Sequence, residues 1–317
     1  MKIVLITPAL PRSRSGNRAT AARWKNILTE LGHRVDVKVD FAGGQYDAMV
    51  ALHAWRSAAS IRRFHTQFPE CPLIVALTGT DIYKFIRSSP QPTLYSIRAA
   101  DRLVTLHELA GLAIPAEYRD KVSVIHQSAK PVMRKPARRK NSFNVCVIGH
   151  LREEKDPLRA AYAVRRLPAE SRIRIRQYGK AHTPVWAERA EKEMRENFRY
   201  RWFGEVPHWQ VRRVYASADV MVLSSRMEGG ANVISEACVA GLPVIASEIA
   251  GSVGLLGEEY PGYYATGDTR ALRELLLRAE ADHAWLRVLQ AACQGKAGLF
   301  SYAREKSRWR ILMNRVA

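Results

Sequence analysis

Cysteine is scarce in this chain: four in 317 residues, Cys71, Cys146, Cys238 and Cys293, scattered mostly through apolar segments. No two have the spacing of metal ligands. That excludes a disulfide scaffold and a zinc module, and it fits free thiols in a reducing cytoplasm. Long apolar runs are missing as well. Nothing approaches the roughly 18 residues that a membrane span requires. The first residues, Met1-Lys-Ile-Val-Leu-Ile-Thr-Pro8, are too few and too strand-like for a signal peptide. No Asp-x-Asp pair occurs. That pair is a common way to hold a metal on a diphosphate, so metal-independent chemistry is expected. Internal repeats and low-complexity tracts are absent. Acid is short too: 30 Asp and Glu stand against 50 Lys and Arg, a net charge of +20.

The content that remains is ordinary for a soluble globular protein, 47% hydrophobic and 25% charged. The length suits two domains, each with its own core. An excess of cations points to nucleic acid, an anionic membrane surface or small anionic substrates. The arginines are spread over the whole chain, and the one dense run, Arg134–Lys140, falls in an expected linker. No nucleic-acid motif is present, and the first domain lacks a basic amphipathic helix of the membrane-binding kind. Small anionic substrates are therefore the expected partners, with no nucleic acid and no stable membrane association. Oligomeric state stays open.

Short runs rich in Val, Ile and Leu alternate with helix-like segments, which implies parallel sheets of the α/β class. Lys2–Pro8 reads as a first strand, Pro11–Arg18 as a basic turn, and Ala19–Leu31 as a helix stopped by Gly32. Strand, basic glycine loop and helix form a phosphate-facing arrangement, with Arg14, Gly16, Asn17 and Arg18 as candidates; an ordinary β–α loop explains them equally. Strands are expected at 33–39, 48–53, 73–78, 103–107 and 122–126. His53 and Thr78-Gly-Thr80-Asp81 fall at strand carboxyl ends, either as satisfied polar residues or as acceptor contacts. Residues 1–130 make the expected first domain and 131–142 the linker. The second domain covers 143–297, and 298–317 a terminal helix that crosses back to the first.

In the second domain, the strand 143–148 runs into Gly149-His-Leu-Arg-Glu-Glu-Lys155. Two cations near a glycine at a strand end suit a diphosphate, Arg152 through charge-assisted hydrogen bonds and Lys155 as a point charge. Strands follow at 172–178 and 200–204 with a charged helix 184–197 between them. Residues 268–292 are helical by periodicity. The most informative stretch is Ser224-Ser-Arg-Met-Glu-Gly-Gly-Ala-Asn-Val-Ile-Ser-Glu236. It follows the apolar strand 220–223 and leads into the small, apolar helix 231–240. Glu228, Gly229 and Gly230 thus stand where a strand turns into a helix, the place at which ligands bind in open α/β sheets. Free N–H groups at the helix start favour an anion, and the glycines let it approach. Glu236 lies eight residues beyond Glu228, close to two helical turns. By itself the pair could equally be a dipole-complementing acid and a surface acid.

Glu228-(seven residues)-Glu236 with glycines after the first acid resembles the signature of the retaining, nucleotide-sugar-dependent glycosyltransferases of family 4. The resemblance implies the GT-B fold, two Rossmann-like domains facing across a cleft. It implies that Glu228 holds the donor sugar and Glu236 the ribose. Gly229, Gly230, Ala231 and Asn232 would face the diphosphate with Gly16 and Asn17, and Val206–Trp209, in Glu205-Val-Pro-His-Trp-Gln-Val, the base, though a Pro-initiated helix explains that segment equally. Gly149 and Lys155 keep the family's six-residue spacing, and Gly149 and His150 would join the donor contacts; His150 stands where that family usually has arginine, which Arg152 would replace.

A narrower similarity runs the length of the chain, through Ser15-Gly-Asn-Arg, Leu77-Thr-Gly-Thr-Asp, the 149–157 turn, the 224–233 stretch and Tyr260-Pro-Gly-Tyr-Tyr. Together these blocks resemble the selenosugar synthases of bacterial selenoneine biosynthesis. The resemblance implies selenophosphate and a UDP-sugar, typically UDP-N-acetylglucosamine, as substrates, with no cofactor. Glu228, Lys155 and Arg152 would be catalytic; Arg14, Arg18, His53, Thr80 and Asp81 would face the acceptor.

Overall fold

The structure, a computed structural model, describes residues 1–132 and 141–316. The Arg134–Lys140 run and most of the expected linker lie outside the described residues. By internal contacts the chain divides into two compact units. The first comprises Met1–Ser128, Glu228–Asn232 and Ser301–Ala317; the second comprises Ala129–Met227 and Val233–Phe300.

The first unit is built on β1 (Lys2–Ile6), β2 (Arg34–Lys38), β3 (Ala48–Leu52), β4 (Leu73–Ala76), β5 (Arg102–Thr105) and β6 (Val122–Val124). Between them run α1 (Gly16–Glu30), α2 (Ala58–Gln67), the single turn α3 (Ile86–Ser88) and α4 (Pro90–Ala99). The sheet is parallel, in the order β2-β1-β3-β4-β5-β6. Side chains alternate between its faces. Ile3, Leu5, Val50, Ile74 and Val104 pack on Trp24, Ile27 and Leu28 of α1. Val4, Ile6, Met49, Val75 and Leu103 pack on Ile61 and Phe64 of α2 and Ile97 of α4.

The second unit alternates β7 (Phe143–Ile148), α5 (Arg159–Val164), β8 (Ile173–Tyr178), α6 (Pro184–Glu196), β9 (Tyr200–Trp202), α7 (His208–Ser217) and β10 (Val220–Leu223). It continues through α8 (Asn232–Ala240), β11 (Val244–Ser247), α9 (Ala250–Leu256), β12 (Tyr263–Tyr264), α10 (Thr269–Ala281) and α11 (His283–Lys296). This sheet is also parallel, in the order β12-β11-β10-β7-β8-β9. The last helix, α12 (Tyr302–Asn314), belongs to the first unit. Its Trp309, Leu312 and Met313 complete the core beneath α1, with Trp309 edge-on to Trp24 at 4.8 Å. Glu305 of the same helix is buried and accepts from Trp24 Nε1 (2.8 Å), Arg23 Nε (3.1 Å) and Ser128 N (2.9 Å).

Several elements differ from the sequence-based expectation. The first helix starts at Gly16, so Gly16, Asn17 and Arg18 form its opening turn rather than a loop. Ser15, in extended backbone, is the N-cap, and its carbonyl accepts from Arg18 N and Ala19 N. The helical segment expected over 268–292 is two helices. Asp282 interrupts it and accepts from Trp285 N, capping the second. Tyr263–Tyr264 adds a short edge strand that the sequence pattern did not mark.

Candidate functional site

In the second sheet the chain fills one side of β7 with β8 and β9, then returns to its other side with β10. The order reverses between β7 and β10, and ligands bind outside the carboxyl ends of strands at such a switch point. The β7 end carries the Gly149–Lys155 turn, and the β10 end carries Ser224. Hydrogen bonds join the two ends. Ser224 Oγ donates to the carbonyls of Lys155 (3.1 Å) and Asp156 (2.9 Å), and Arg226 N donates to Glu154 O (2.8 Å). Lys155 closes a single 3-10 turn, Glu153–Lys155, and Asp156 follows in left-handed backbone at φ 42°. The lysine is thereby set over the glycine: a Cβ on Gly149 would meet Lys155 Cδ at 3.9 Å and nothing nearer. Gly149 itself donates its N–H to Tyr178 O at 2.9 Å. Its neighbour in β8 is not free to change. A Cβ on Gly179 would lie 2.0 Å from the Gly149 carbonyl oxygen.

His150 Nδ1 accepts the backbone N–H of Lys180 at 3.1 Å, and its ring lies 5.3 Å from that of His182. Arg152 is half-buried, and its Nε has no hydrogen-bond partner among the described residues. Beside them, Phe203 stacks on Tyr178 at 4.9 Å with 11° between the planes. Phe203 remains 40% exposed, so this pair forms an aromatic shelf at the ends of β8 and β9. Val206 is half-buried just before α7.

Glu236 sits four residues into α8. Its carboxylate accepts from Tyr215 Oη (2.8 Å) and approaches His208 Nε2 at 3.2 Å. Burial pushes the Tyr215 hydroxyl far above the usual tyrosine range, with the carboxylate adding to it, so Tyr215 acts only as a donor. The bond to Glu236 raises His208 above the usual histidine range, which favours the charged ring beside the carboxylate. Two acceptor edges are thus anchored while Glu236 stays about a fifth exposed, at 22%.

The turn Glu228–Asn232 is packed within the first unit. Glu228 and Ala231 are buried, Asn232 half-buried. A Cβ on Gly229 would lie 2.2 Å from the carbonyl carbon of Thr78, and one on Gly230, at φ 150°, 2.3 Å from Leu106 Cβ. No other residue type fits either place. A Cβ on Gly16 would stand 3.5 Å from Asn232 Nδ2. Gln127 secures the same turn. With its amide oriented to match its neighbours, it donates to Gly230 O (3.0 Å) and Asn232 Oδ1 (2.9 Å).

At the carboxyl edge of the first sheet the switch point lies between β1 and β3. Arg14 and Gly16 are exposed after β1, and Asn17 and Arg18 are half-buried. After β3 comes His53, in left-handed backbone at φ 76° and only 2% exposed. Its Nδ1 accepts from Arg56 N (3.2 Å), which leaves Nε2 to donate to Thr80 Oγ1 at 2.9 Å. Asp81 is fully buried. Its carboxylate accepts four backbone N–H groups: Ala54 (3.0 Å), Thr78 (3.0 Å), Gly79 (2.7 Å) and Ile82 (3.2 Å). Burial gives His53 and Asp81 the task of holding the edge in shape, while Thr80, half-buried, keeps some surface.

Sequence reasoning did not reach Ser224, Tyr215, Phe203, His182 or Gln127, and it reached His208 only within the base-binding segment Val206–Trp209. The strand–turn pattern could have suggested Ser224 and Phe203, since both close strands at the ligand edge. The others depend on pairings that only the fold creates. His107, at the end of β5, was also missed. It is fully buried, its Nε2 meets Tyr83 Oη at 3.3 Å, and burial pushes it down to about 4.

Among the described residues no three His, Cys, Asp or Glu gather as a possible metal site, and no helix is long and apolar enough to cross a membrane. The family profile for glycosyl transferases group 1 matches residues 129–290. A segment of 82 residues is 34% identical to the Bacillus subtilis (strain 168) protein TuaC, whose name assigns it to teichuronic acid biosynthesis as a glycosyltransferase. That segment is 26% of this chain and spans 21% of the relative's length. Anabaena HepE, solved with UDP-glucose, superposes with a TM-score of 0.82 at 14% identity, over 99% of this chain and 100% of that one. The sucrose-phosphate synthase of Thermosynechococcus elongatus gives 0.80 at 17% identity, over 99% and 98%. These likenesses establish the fold, a GT-B arrangement of two parallel α/β sheets. The profile spans over half the sequence, and the chain belongs to the glycosyl transferases group 1.

Proposed function

We propose that this enzyme transfers the sugar of a UDP-sugar, UDP-N-acetylglucosamine being the preferred candidate, to the selenium of selenophosphate. The observation that carries the donor half is the pair of strand ends at the β7/β10 switch point, where Ser224 fixes the Lys155 turn beside Gly149. UDP and UDP-glucose in the HepE structures support the choice of nucleotide. In the proposed reaction a selenium lone pair forms the C–Se bond at the anomeric carbon. The C–O bond to UDP breaks, and its electron pair leaves on the diphosphate. Lys155 and Arg152 stabilise that growing charge. Glu228 orients the sugar hydroxyls, a matter of positioning rather than proton transfer. Glu236 is assigned to the ribose. Water then splits the Se–P bond, giving phosphate and the selenosugar.

The acceptor half rests on the sequence blocks shared with selenosugar synthases, and one geometric observation supports it. Asp81 spends its carboxylate on four backbone donors, and His53 is buried. Neither is placed to take a proton from a hydroxyl acceptor. A selenium anion needs no such base. Arg14 and Arg18 are the proposed contacts for it. A conventional retaining transfer to a glycan is the second reading, favoured by the TuaC match.

Mass spectrometry of the purified protein with UDP-N-acetylglucosamine, with and without selenophosphate, tests the proposal. A sugar product carrying the selenium isotope pattern, formed only with both substrates and also in the presence of a chelator, is expected. UDP release that ignores selenophosphate would return the acceptor to the glycan reading. Loss of activity to the chelator, restored by magnesium, would overturn the metal-independent route. The setting proposed is the cytoplasm, where the scattered thiols stay reduced.

A further inference from the structure

We propose that His150 serves as a neutral hydrogen-bond donor, offering Nε2–H to the donor's diphosphate. The inference rests on the donor reading above.

The backbone amide of Lys180 decides the tautomer. It donates to His150 Nδ1 at 3.1 Å, so that nitrogen carries its lone pair and the ring proton sits on Nε2. Protonating the ring would place a second N–H against the Lys180 N–H. Nε2 itself has no hydrogen-bond partner among the described residues, and neither has the buried Nε of Arg152 two residues on. Two N–H groups thus stand unclaimed on the turn that follows Gly149, where the space beside the glycine is bounded by Lys155 Cδ at 3.9 Å. Phosphate oxygens have the lone pairs to accept such donors.

The surroundings favour the neutral ring. Burial, the His182 ring and the charges of Arg152 and Lys155 all hold His150 below the usual histidine range, and only Glu205 acts the other way. The charge of the diphosphate is then met by the cations Arg152 and Lys155. His150 supplies direction without charge. Release of the nucleotide leaves its protonation state unchanged, so no proton has to be gained or lost in each turnover.

Isothermal titration calorimetry with UDP-N-acetylglucosamine at about pH 7, in buffers of different ionisation enthalpy, reads the protons exchanged on binding. A nucleotide sugar is the right probe because its doubly esterified diphosphate does not itself titrate in this range. Proton uptake near zero is expected. Imidazole proton–nitrogen NMR correlations should show the Nε2–H form of His150 with and without ligand. His150→Gln keeps a neutral N–H donor and should bind within about threefold of wild type, whereas His150→Phe should bind about five- to tenfold more weakly, the loss of one hydrogen bond. A full proton taken up, an Nδ1–H tautomer, or equal losses in the two variants would overturn the contact and leave the donor reading standing. Wild-type protein that binds no nucleotide sugar would overturn both.

Discussion

Tyr215 donates its hydroxyl to the carboxylate of Glu236 at 2.8 Å, from a side chain that is 1% exposed. An apolar helix therefore presents a carboxylate whose orientation is set by a neighbouring helix. Glu236→Ala should weaken UDP-sugar binding more than it slows the saturated enzyme. It also strands the Tyr215 hydroxyl, at a stability cost of about 1–3 kcal/mol. Tyr215→Phe separates the two effects: stability nearly kept, affinity reduced about two- to tenfold through a less fixed carboxylate. Calorimetry and denaturant melts read both quantities. Undiminished affinity in Glu236→Ala would remove that residue from the donor site.

Lys155 is held by its own carbonyl, which accepts from Ser224 Oγ at 3.1 Å. Lys155→Ala should lower kcat about 10- to 1000-fold, the range for loss of one charged stabiliser of a developing anion. Ser224→Ala keeps the ammonium and loosens only its turn, so its effect on kcat should be clearly smaller. Steady-state kinetics at saturating donor check the order; a reversed order would mean that the turn, not the charge, matters.

Much of this arrangement was legible in the sequence, for reasons that differ by element. The Val- and Ile-rich strands announce themselves because parallel strands are buried on both faces. The 224–236 stretch was readable because its glycines and acids fall on one strand-to-helix turn. Asp81 was noticed, but its occupation was not: its partner Ala54 lies 27 residues away, brought near only by adjacent strands. Glu236 was placed correctly in a helix, yet Tyr215 sits 21 residues earlier in another. The break at Asp282 was hidden because an acid in a periodic helical pattern looks like a solvated face until its cap bond to Trp285 is seen.

Glu305 carries three named donors and a bond from Ser128 Oγ in a site closed to solvent. Glu305→Ala would leave the Trp24 indole N–H and the Ser128 amide without partners. Removing one side of such a buried charged network costs about 3–5 kcal/mol. The unfolding transition of the first unit should move to clearly lower urea, with the rest of the chain little affected. An unchanged midpoint would show that Glu305 is not what anchors the C-terminal helix.

His107 is fully buried and pushed down to about 4 by its burial. Above the unfolded value of about 6.5 it is neutral in both states and contributes no pH dependence. As pH falls from there towards 4, the unfolded chain takes up a proton that the folded chain refuses, so stability declines by up to about 1.4 kcal/mol per pH unit. Below the folded value both states are protonated and the decline stops. His107→Gln should flatten this limb of the stability–pH curve. Urea midpoints for both proteins across that window test it, and parallel curves would discount the histidine.

The return of α12 to the first unit has a consequence for the order in which the protein can form. Residues 1–128 leave the ribosome before the second unit, but their core lacks Trp309, Leu312 and Met313 until α12 has been made. For as long as the intervening residues are being made, the face of α1 bearing Trp24 waits uncovered. The second unit, by contrast, has all its strands and helices in hand once Phe300 has appeared. The half made first is thus the half finished last, and a nascent chain stalled before α12 would offer its apolar flank to chaperones or to aggregation.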